Sequence, residues 1–121
     1  RKIKVFGGAQ YRPNIHIDDM VDFYMQSLVW EDAKINGEIY NVGLSDANVS
    51  KRELCEHIQK QVPDFIFIDE QIGKDPDQRN YIVSNDKIES TGFKTEFSLD
   101  RGIDELLKGY TMIKNNLYGN V

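Results

Sequence analysis

Cysteine is almost missing from this chain, which has Cys55 as its one cysteine among 121 residues. A lone cysteine excludes an internal disulfide and a cysteine-rich zinc site, and it is typical of proteins in a reducing compartment. We therefore expect a cytoplasmic protein. Because Cys55 falls on the apolar side of a predicted helix, we expect it to be an inert core thiol.

Long hydrophobic runs and a surplus of basic residues are missing as well. No apolar run approaches the roughly 18 residues of a membrane span, and the first residues do not resemble a signal peptide. The chain has 15 Lys and Arg against 20 Asp and Glu, for a net charge of −5. Nucleic acids attract basic surfaces. We therefore expect neither a membrane nor a nucleic acid as partner.

The composition that is present suits one globular domain with a modest core, because 40% of the residues are hydrophobic and 29% are charged. The first six residues, Arg1 to Phe6, already follow a strand pattern and do not begin with Met. This start suggests a fragment of a longer protein. We therefore interpret residues 1–121 as one unit that is truncated at its N-terminus.

Short extended runs alternate with amphipathic helices along the chain, which favours the α/β class. Extended runs are predicted at residues 2–6, 14–17, 38–42, 65–68 and 81–83. Helices are predicted from Asp18 or Asp19 to about Trp30, from Ser50 to Pro63, from Ser84 to Ser90, and from Ser98 to about Ile113. The 65–68 run is expected to be a buried strand against the second helix.

Individual residues sharpen this assignment. Ser50-Lys51-Arg52-Glu53 has the spacing of a capping box at a helix start, and Gly92 is expected to end the third helix. Two helices carry apolar faces. These faces consist of Met20, Val21, Tyr24 and Leu28 in the first helix and of Leu99, Ile103, Leu106, Leu107, Tyr110 and Ile113 in the last.

Two arginine-containing stretches indicate a binding function. Arg12 lies just before the extended run that leads into the first helix, and Arg79 lies in a polar loop some sixty residues later. A guanidinium group presents a planar fork of donors that matches phosphate oxygens two at a time, which an ammonium group cannot reproduce. Two such groups on one scaffold would form a clamp for a diphosphate.

These stretches, with four others, resemble one family. The matching pieces are Arg12-x-x-Ile15-His16-Ile17-x-Asp19, Tyr40-Asn41-Val42-Gly43, Arg79-x-Tyr81, Lys87-Ile88, Gly92-Phe93 and Ser98-Leu99-x-x-Gly102-Ile103. Their order is similar to that in the C-terminal part of the extended short-chain dehydrogenases/reductases, the NAD-dependent nucleotide-sugar epimerases and dehydratases. The resemblance covers nearly the whole chain. It implies a small substrate lobe plus a strand and helix that return to a Rossmann-type NAD(P)-binding fold.

The resemblance also implies that the cofactor half lies elsewhere. In this family the N-terminal two-thirds binds NAD or NADP and carries the catalytic Ser/Thr, Tyr and Lys. This chain has no Gly-x-x-Gly-x-x-Gly after a strand, so it lacks the turn that cradles a dinucleotide phosphate. We therefore expect no cofactor on this chain alone and no catalytic residue in it.

One segment matches the catalytic pair of the family by spacing alone. Tyr110 and Lys114 stand four residues apart in the last helix, so they share one helix face. However, the match lies far downstream of the family position, and no serine-bearing strand precedes it. Tyr110 continues the apolar face of that helix. We therefore predict that it packs in the core.

The family motif can be carried over to five candidate substrate-binding residues. Arg12 matches the arginine that contacts the nucleotide diphosphate, and Asn14 stands where many members have an aromatic residue against the nucleotide. Lys74 and Asp77 match the positions that grip phosphate and the ribose hydroxyls. Either Lys74 acts as a point charge, or Arg79 takes over the grip.

Two neighbouring residues invite a catalytic interpretation but are predicted to be scaffold. His16 has apolar neighbours, so we expect a structural histidine, and we expect Asp19 to cap its helix. The leading hypothesis is therefore nucleotide-sugar binding within an NAD-dependent epimerase or dehydratase that abstracts a hydride and returns it. One alternative is a non-catalytic interaction module. Another is a relative that reduces a non-nucleotide carbonyl compound. An exposed apolar helix face would favour self-association or a homodimer.

Overall fold

Two small sheets organise the chain in the computed structural model, which describes residues 2–70, 76–77 and 79–113. The strands are β1 (Lys2–Phe6), β2 (Tyr11–Pro13), β3 (Asn48–Ser50) and β4 (Ile66–Glu70). The helices are α1 (Ile17–Ser27), α2 (Asp32–Ile35), α3 (Lys51–Gln61), α4 (Asp86–Glu89) and α5 (Leu99–Met112), with a 3-10 turn at Ser45–Ala47. The alternation of strands and helices confirms the predicted α/β class.

The sheets differ in direction. Strands β1 and β4 are parallel, with Lys2 opposite Ile66 and Phe6 opposite Glu70. Strands β2 and β3 are antiparallel, with Tyr11 opposite Ser50. Because β3 runs directly into α3, this second sheet places Arg12 of β2 beside the start of that helix. The predicted strand at 2–6 is confirmed.

The ends of the helices follow the local sequence signals. Ser50 accepts a hydrogen bond from the Glu53 backbone N–H, and the Glu53 side chain accepts one from the Ser50 N–H, so the predicted capping box is confirmed. Ser98 caps α5 through the backbone N–H of Arg101. Gly92, with φ of +94°, follows α4, as predicted.

Several predicted boundaries are wrong. The strand expected at 14–17 lies at Tyr11–Pro13, and α1 begins at Ile17. The runs at 38–42 and 81–83 are not strands in the described part of the chain, where side chains bond some of their backbone groups. Lys87 donates to the Ile39 carbonyl, and the Asn48 side chain bonds both the N–H and the C=O of Val83. Strand β4 is not buried, since Ile66 and Ile68 are about half exposed.

The core is small, and its residues come from β1, the 3-10 turn, α3, α4, the segment that follows α4 and the start of α5. Its buried apolar residues are Val5, Ala47, Cys55, Ile88, Phe93 and Ile103. Phe23 joins α1 to this core through an edge-to-face contact with Phe93, whose ring centroid is 5.8 Å away. Burial raises the pKa of the Cys55 thiol, which agrees with the prediction of an inert core cysteine.

The apolar face predicted for α1 is not the face that packs. Val21, Tyr24 and Leu28 are exposed, whereas Asp19 and Phe23 point inward. In α5 Ile103 is buried. The prediction that Tyr110 packs in the core is wrong, because its side chain is 73% exposed. In the described part of the chain, nothing packs against that end of α5 closely enough to cover it. Lys114, its proposed partner by spacing, lies outside the described residues.

No helix in the described ranges is both long and apolar enough to span a bilayer.

Candidate functional site

Arg12 is the centre of the candidate site, and β2 positions it. Its Nη1 donates to the Tyr11 carbonyl at 2.9 Å and to the Arg79 carbonyl, and its Nη2 donates to the Asp77 carbonyl at 3.1 Å. The fork of the guanidinium therefore spans from its own strand to the loop at 76–80. These contacts join parts of the chain that lie 65 and 67 residues apart in sequence.

Asp77 and Arg79 form a bidentate ion pair beside Arg12. Arg79 Nε and Nη2 each lie 2.7 Å from one carboxylate oxygen of Asp77, and the Arg79 backbone N–H also donates to that carboxylate. Arg12 Nη2 lies 3.5 Å from the Asp77 carboxylate. The hydrogen bonds from Arg79 hold the pKa of Asp77 well below its usual range, and Asp77 raises the pKa of Arg79. Asp77 and Arg79 therefore both stay charged at physiological pH.

The loop that carries this pair is fastened to β2 at two more points. The backbone N–H of Tyr11 donates to the Asn80 side-chain oxygen at 2.9 Å. The ring of Tyr81 lies under Arg12, with the guanidinium carbon 5.9 Å from the ring centroid. An aromatic face at this distance attracts the cation and restrains its orientation. We call Arg12, Asp77, Arg79 and Tyr81 the arginine cluster.

The structure brings three of the five predicted site residues together. Arg12, Asp77 and Arg79 lie together, whereas Lys74 lies outside the described residues. Asn14 uses its side-chain N–H groups on the carbonyls of Arg12 and Ala47, both at 3.0 Å. This amide therefore ties β2 to the loop before β3. A binding role for any of these residues stays a prediction, since the geometry shows proximity and not a ligand.

The arginine cluster can hold an anion at its open side. The Arg79 side chain is 71% exposed, whereas the Arg12 side chain is 21% exposed. Arg12 is thus anchored in the fold, and Arg79 reaches toward solvent. Two guanidinium groups and one carboxylate leave the cluster with a net charge of about +1. Phosphate, sulfate and carboxylate groups are the ligands that such donors recognise.

A second polar group surrounds His16. Its Nδ1 accepts the Asp18 backbone N–H at 3.1 Å, so His16 caps α1, and its Nε2 lies 2.9 Å from the Glu105 carboxylate. The ring stacks on Phe97 at 4.2 Å between centroids. Hydrogen bonds from Arg101 and then His16 lower the pKa of Glu105. The prediction of a structural histidine agrees with these contacts.

Asp19 has a different role from the one predicted. The cap of α1 is His16 and not Asp19. The Asp19 carboxylate is buried, 2% exposed, and accepts the backbone N–H groups of Glu96 and Phe97 at 2.8 and 3.2 Å. It therefore fixes the segment that enters α5. Sequence spacing carries no signal for this contact, because its partners lie 77 and 78 residues away.

A cavity of about 640 Å³ lies on the other side of Asn14. Its apolar lining comes from Ile15, Ile17, Leu44, Leu54, Ile58, Leu99, Ile103 and Leu106. Asn14, His16 and Glu105 also line it, but Arg12, Asp77 and Arg79 do not. This cavity and the arginine cluster are thus separate. We favour the cluster as the binding site because it offers convergent charged donors, whereas the cavity offers mainly apolar contact.

The described residues do not fit a dinucleotide or a metal ion. Strand β1 leads through Gly7 and Gly8 into another strand, and β3 enters α3 without a glycine turn. Neither arrangement gives the glycine-rich turn at a helix N-terminus that cradles a pyrophosphate in a Rossmann unit. Within the described ranges, no group of three or more His, Cys, Asp or Glu side chains is placed to hold a metal ion.

Comparison with known proteins supports the fold. No protein-family model matches this chain. Among solved structures, the chain is similar to the crystal structure of L-threonine dehydrogenase from Phytophthora infestans, with a TM-score of 0.67 and 17% sequence identity. The similarity covers 92% of this chain and 37% of that chain. This protein is therefore a small α/β unit that shares its fold with just over a third of that dehydrogenase.

Proposed function

We propose that this chain is the substrate-binding part of an NAD(P)-dependent enzyme of the short-chain dehydrogenase/reductase type, and that it binds a nucleotide-sugar. The arginine cluster carries this proposal. Arg12 reaches across 65 to 67 residues of sequence to the Asp77–Arg79 loop, so the two predicted halves of a diphosphate clamp are adjacent. The similarity to part of a dehydrogenase supports the enzyme class.

In this proposal the chain binds and orients, and another part of the enzyme does the chemistry. Arg12 and Arg79 hold the diphosphate, and the sugar extends toward a nicotinamide bound outside this chain. Asn14 and Lys74 remain candidate nucleotide contacts. Fixing the phosphate raises the reaction rate, because binding energy is used to orient the reacting carbon. We propose a cytoplasmic location for the complete enzyme, because this chain contains a single cysteine.

Isothermal titration calorimetry with UDP, CDP, ADP, GDP and dTDP tests this proposal. We expect at least one of them to bind, and Arg12→Lys to weaken it by about tenfold because an ammonium group loses the two-point contact. Arg52→Lys is the matched control, since Arg52 pairs with Asp69 and is not one of the cluster residues. If no nucleoside diphosphate binds, or if both variants weaken binding equally, the diphosphate clamp is refuted.

A second candidate substrate is a small non-nucleotide carbonyl or hydroxy compound. The observation that favours it is the similar solved structure, which is a threonine dehydrogenase. Such an enzyme has less reason to keep arginine at both positions 12 and 79. The same titrations with L-threonine separate the two candidates, because a substrate of this kind would bind without competition from UDP or its analogues.

The exposed apolar faces favour an interaction role alongside binding. Val21, Tyr24 and Leu28 of α1 and Leu106 and Tyr110 of α5 are all more than half exposed. We propose that this chain self-associates through them when nothing else covers these faces. Sedimentation velocity should show a dimer that Leu28→Asp dissociates, whereas Asp22→Asn on the same helix should not. A monomer at all concentrations would contradict this.

A further inference from the structure

We propose that Asp77 is a built-in competitor for the anion that the arginine cluster binds. Its carboxylate occupies the place between Arg12 and Arg79 that a phosphate group would take. This inference deepens the proposed function, and it rests on the arginine cluster being the anion site. In this inference, Asp77 controls the affinity and the selectivity of that site.

The geometry of the ion pair supports this role. Arg79 Nε and Nη2 each lie 2.7 Å from a different oxygen of Asp77. Two parallel N–H···O bonds of this kind are the same contact that a guanidinium makes with a phosphate group. Arg12 Nη2 approaches one of these oxygens to 3.5 Å. The carboxylate thus occupies two donors of Arg79 and lies within ion-pair distance of Arg12, the two groups that would hold a ligand.

Arg12 keeps its place without the charge of Asp77. Its Nη1 donates to the Tyr11 and Arg79 carbonyls, and its Nη2 donates to the Asp77 carbonyl. None of these three acceptors is a carboxylate. Replacing Asp77 by asparagine preserves the backbone carbonyl and the side-chain size. The substitution therefore removes the competing charge while the backbone anchors of Arg12 remain.

The competition is constant and not a pH switch. Because Arg79 holds the pKa of Asp77 well below its usual range, the carboxylate stays ionised near neutral pH. An incoming phosphate must displace the Asp77 carboxylate from Arg79, and the displaced carboxylate still repels the phosphate. Weakly charged ligands are disfavoured less than multiply charged ones, since the repulsion grows with ligand charge. Asp77 therefore biases the site against highly charged anions such as free pyrophosphate.

The test titrates inorganic pyrophosphate and UDP into the full chain and into Asp77→Asn by isothermal titration calorimetry at low salt. We expect the asparagine variant to bind pyrophosphate roughly five- to tenfold more tightly, the size of removing one like charge about 4 Å away at a solvated surface. The gain should shrink as salt is added. Asp69→Asn is the matched control, because it removes one carboxylate paired with Arg52 outside the cluster.

Each outcome has a defined meaning. The inference is overturned if Asp77→Asn binds pyrophosphate no more tightly than the unmodified chain, or if neither binds it. The ribose role predicted from the sequence requires the opposite sign, namely weaker UDP binding with pyrophosphate unchanged. If Asp77→Asn gains affinity for pyrophosphate but UDP binds no better than pyrophosphate to either chain, the proposed nucleotide function fails and the competitor role stands. Asp77→Ala should show the same gain.

Discussion

Asp19 offers the sharpest test of how this fold is held together. Its carboxylate is 2% exposed and accepts two backbone N–H groups, those of Glu96 and Phe97, at 2.8 and 3.2 Å. The change to examine is Asp19→Asn, which keeps the size of the side chain and one acceptor oxygen. The amide –NH₂ then faces the second N–H and leaves it without an acceptor.

The expected cost follows from these two contacts. A hydrogen bond to a charged acceptor contributes roughly 1.5–3 kcal/mol, and a buried donor left unpaired costs roughly 1–3 kcal/mol. Asp19→Asn loses one such bond, so we expect the free energy of unfolding to fall by about 2 kcal/mol. Asp19→Ala loses both and should cost about 4 kcal/mol. Small domains have only roughly 5–15 kcal/mol in total, so both changes are easily measured.

Urea unfolding followed by far-UV circular dichroism and by fluorescence of Trp30, the one tryptophan, measures this cost. Asp18→Asn is the matched control. It lies next to Asp19 on α1, but its side chain is 65% exposed, so we expect a change within about 0.5 kcal/mol. A helix cap would tolerate Asp19→Asn, because Asn and Asp cap equally well. If Asp19→Asn is as stable as the unmodified chain, the assignment of Asp19 as the buried acceptor of the Glu96 and Phe97 N–H groups is refuted.

Further predictions concern the cap of α3 and two glycines. Ser50→Ala should cost about 1 kcal/mol in urea unfolding by removing the cap of α3. Hydrogen bonds from Ser50 lower the pKa of Glu53 below its ordinary 4.5, so this contribution to stability is complete above 4.5 and is lost as pH falls through the folded-state pKa. Glu53→Gln keeps the bond and should remove that acid loss, and an unchanged pH profile would contradict this. Gly92→Ala should cost roughly 1–2 kcal/mol, because its φ is +94°. A Cβ added at Gly109 in α5 meets nothing within 4 Å, so Gly109→Ala should raise the free energy of unfolding by up to about 1 kcal/mol. If both glycine substitutions change the free energy of unfolding in the same direction, this reasoning is refuted.

The similarity to a dehydrogenase and the arginine cluster support different levels of the conclusion. The fold likeness extends over 92% of this chain, and it supports the α/β architecture. The substrate class depends on Arg12 and the three side chains around it, so it is the part that the calorimetry decides. The apolar cavity beside Asn14 is separate from those side chains. A ligand found there would change the position of the site but not the fold.

Local sequence signals determined much of the secondary structure. The capping box at Ser50, the end of α4 near Gly92 and the start of α5 at Ser98 each depend on residues within four positions. Such contacts close within one helical turn, so a linear sequence contains all the information they need. The predicted strands at 38–42 and 81–83 failed for the opposite reason. A strand exists only where another strand supplies its hydrogen bonds, and the sequence of one segment does not reveal its neighbour.

The sequence by itself therefore determined the α/β class, the starts of α3 and α5, the end of α4 and the two arginine-bearing stretches. Only the tertiary structure decided what those stretches contact. It brought Arg12 to the Asp77–Arg79 loop, and it turned Asp19 inward onto the backbone of Glu96. It also joined His16 to Glu105, 89 residues away. Charge pairs and buried hydrogen bonds act over a few ångströms in space, so their partners are set by packing and not by order along the chain.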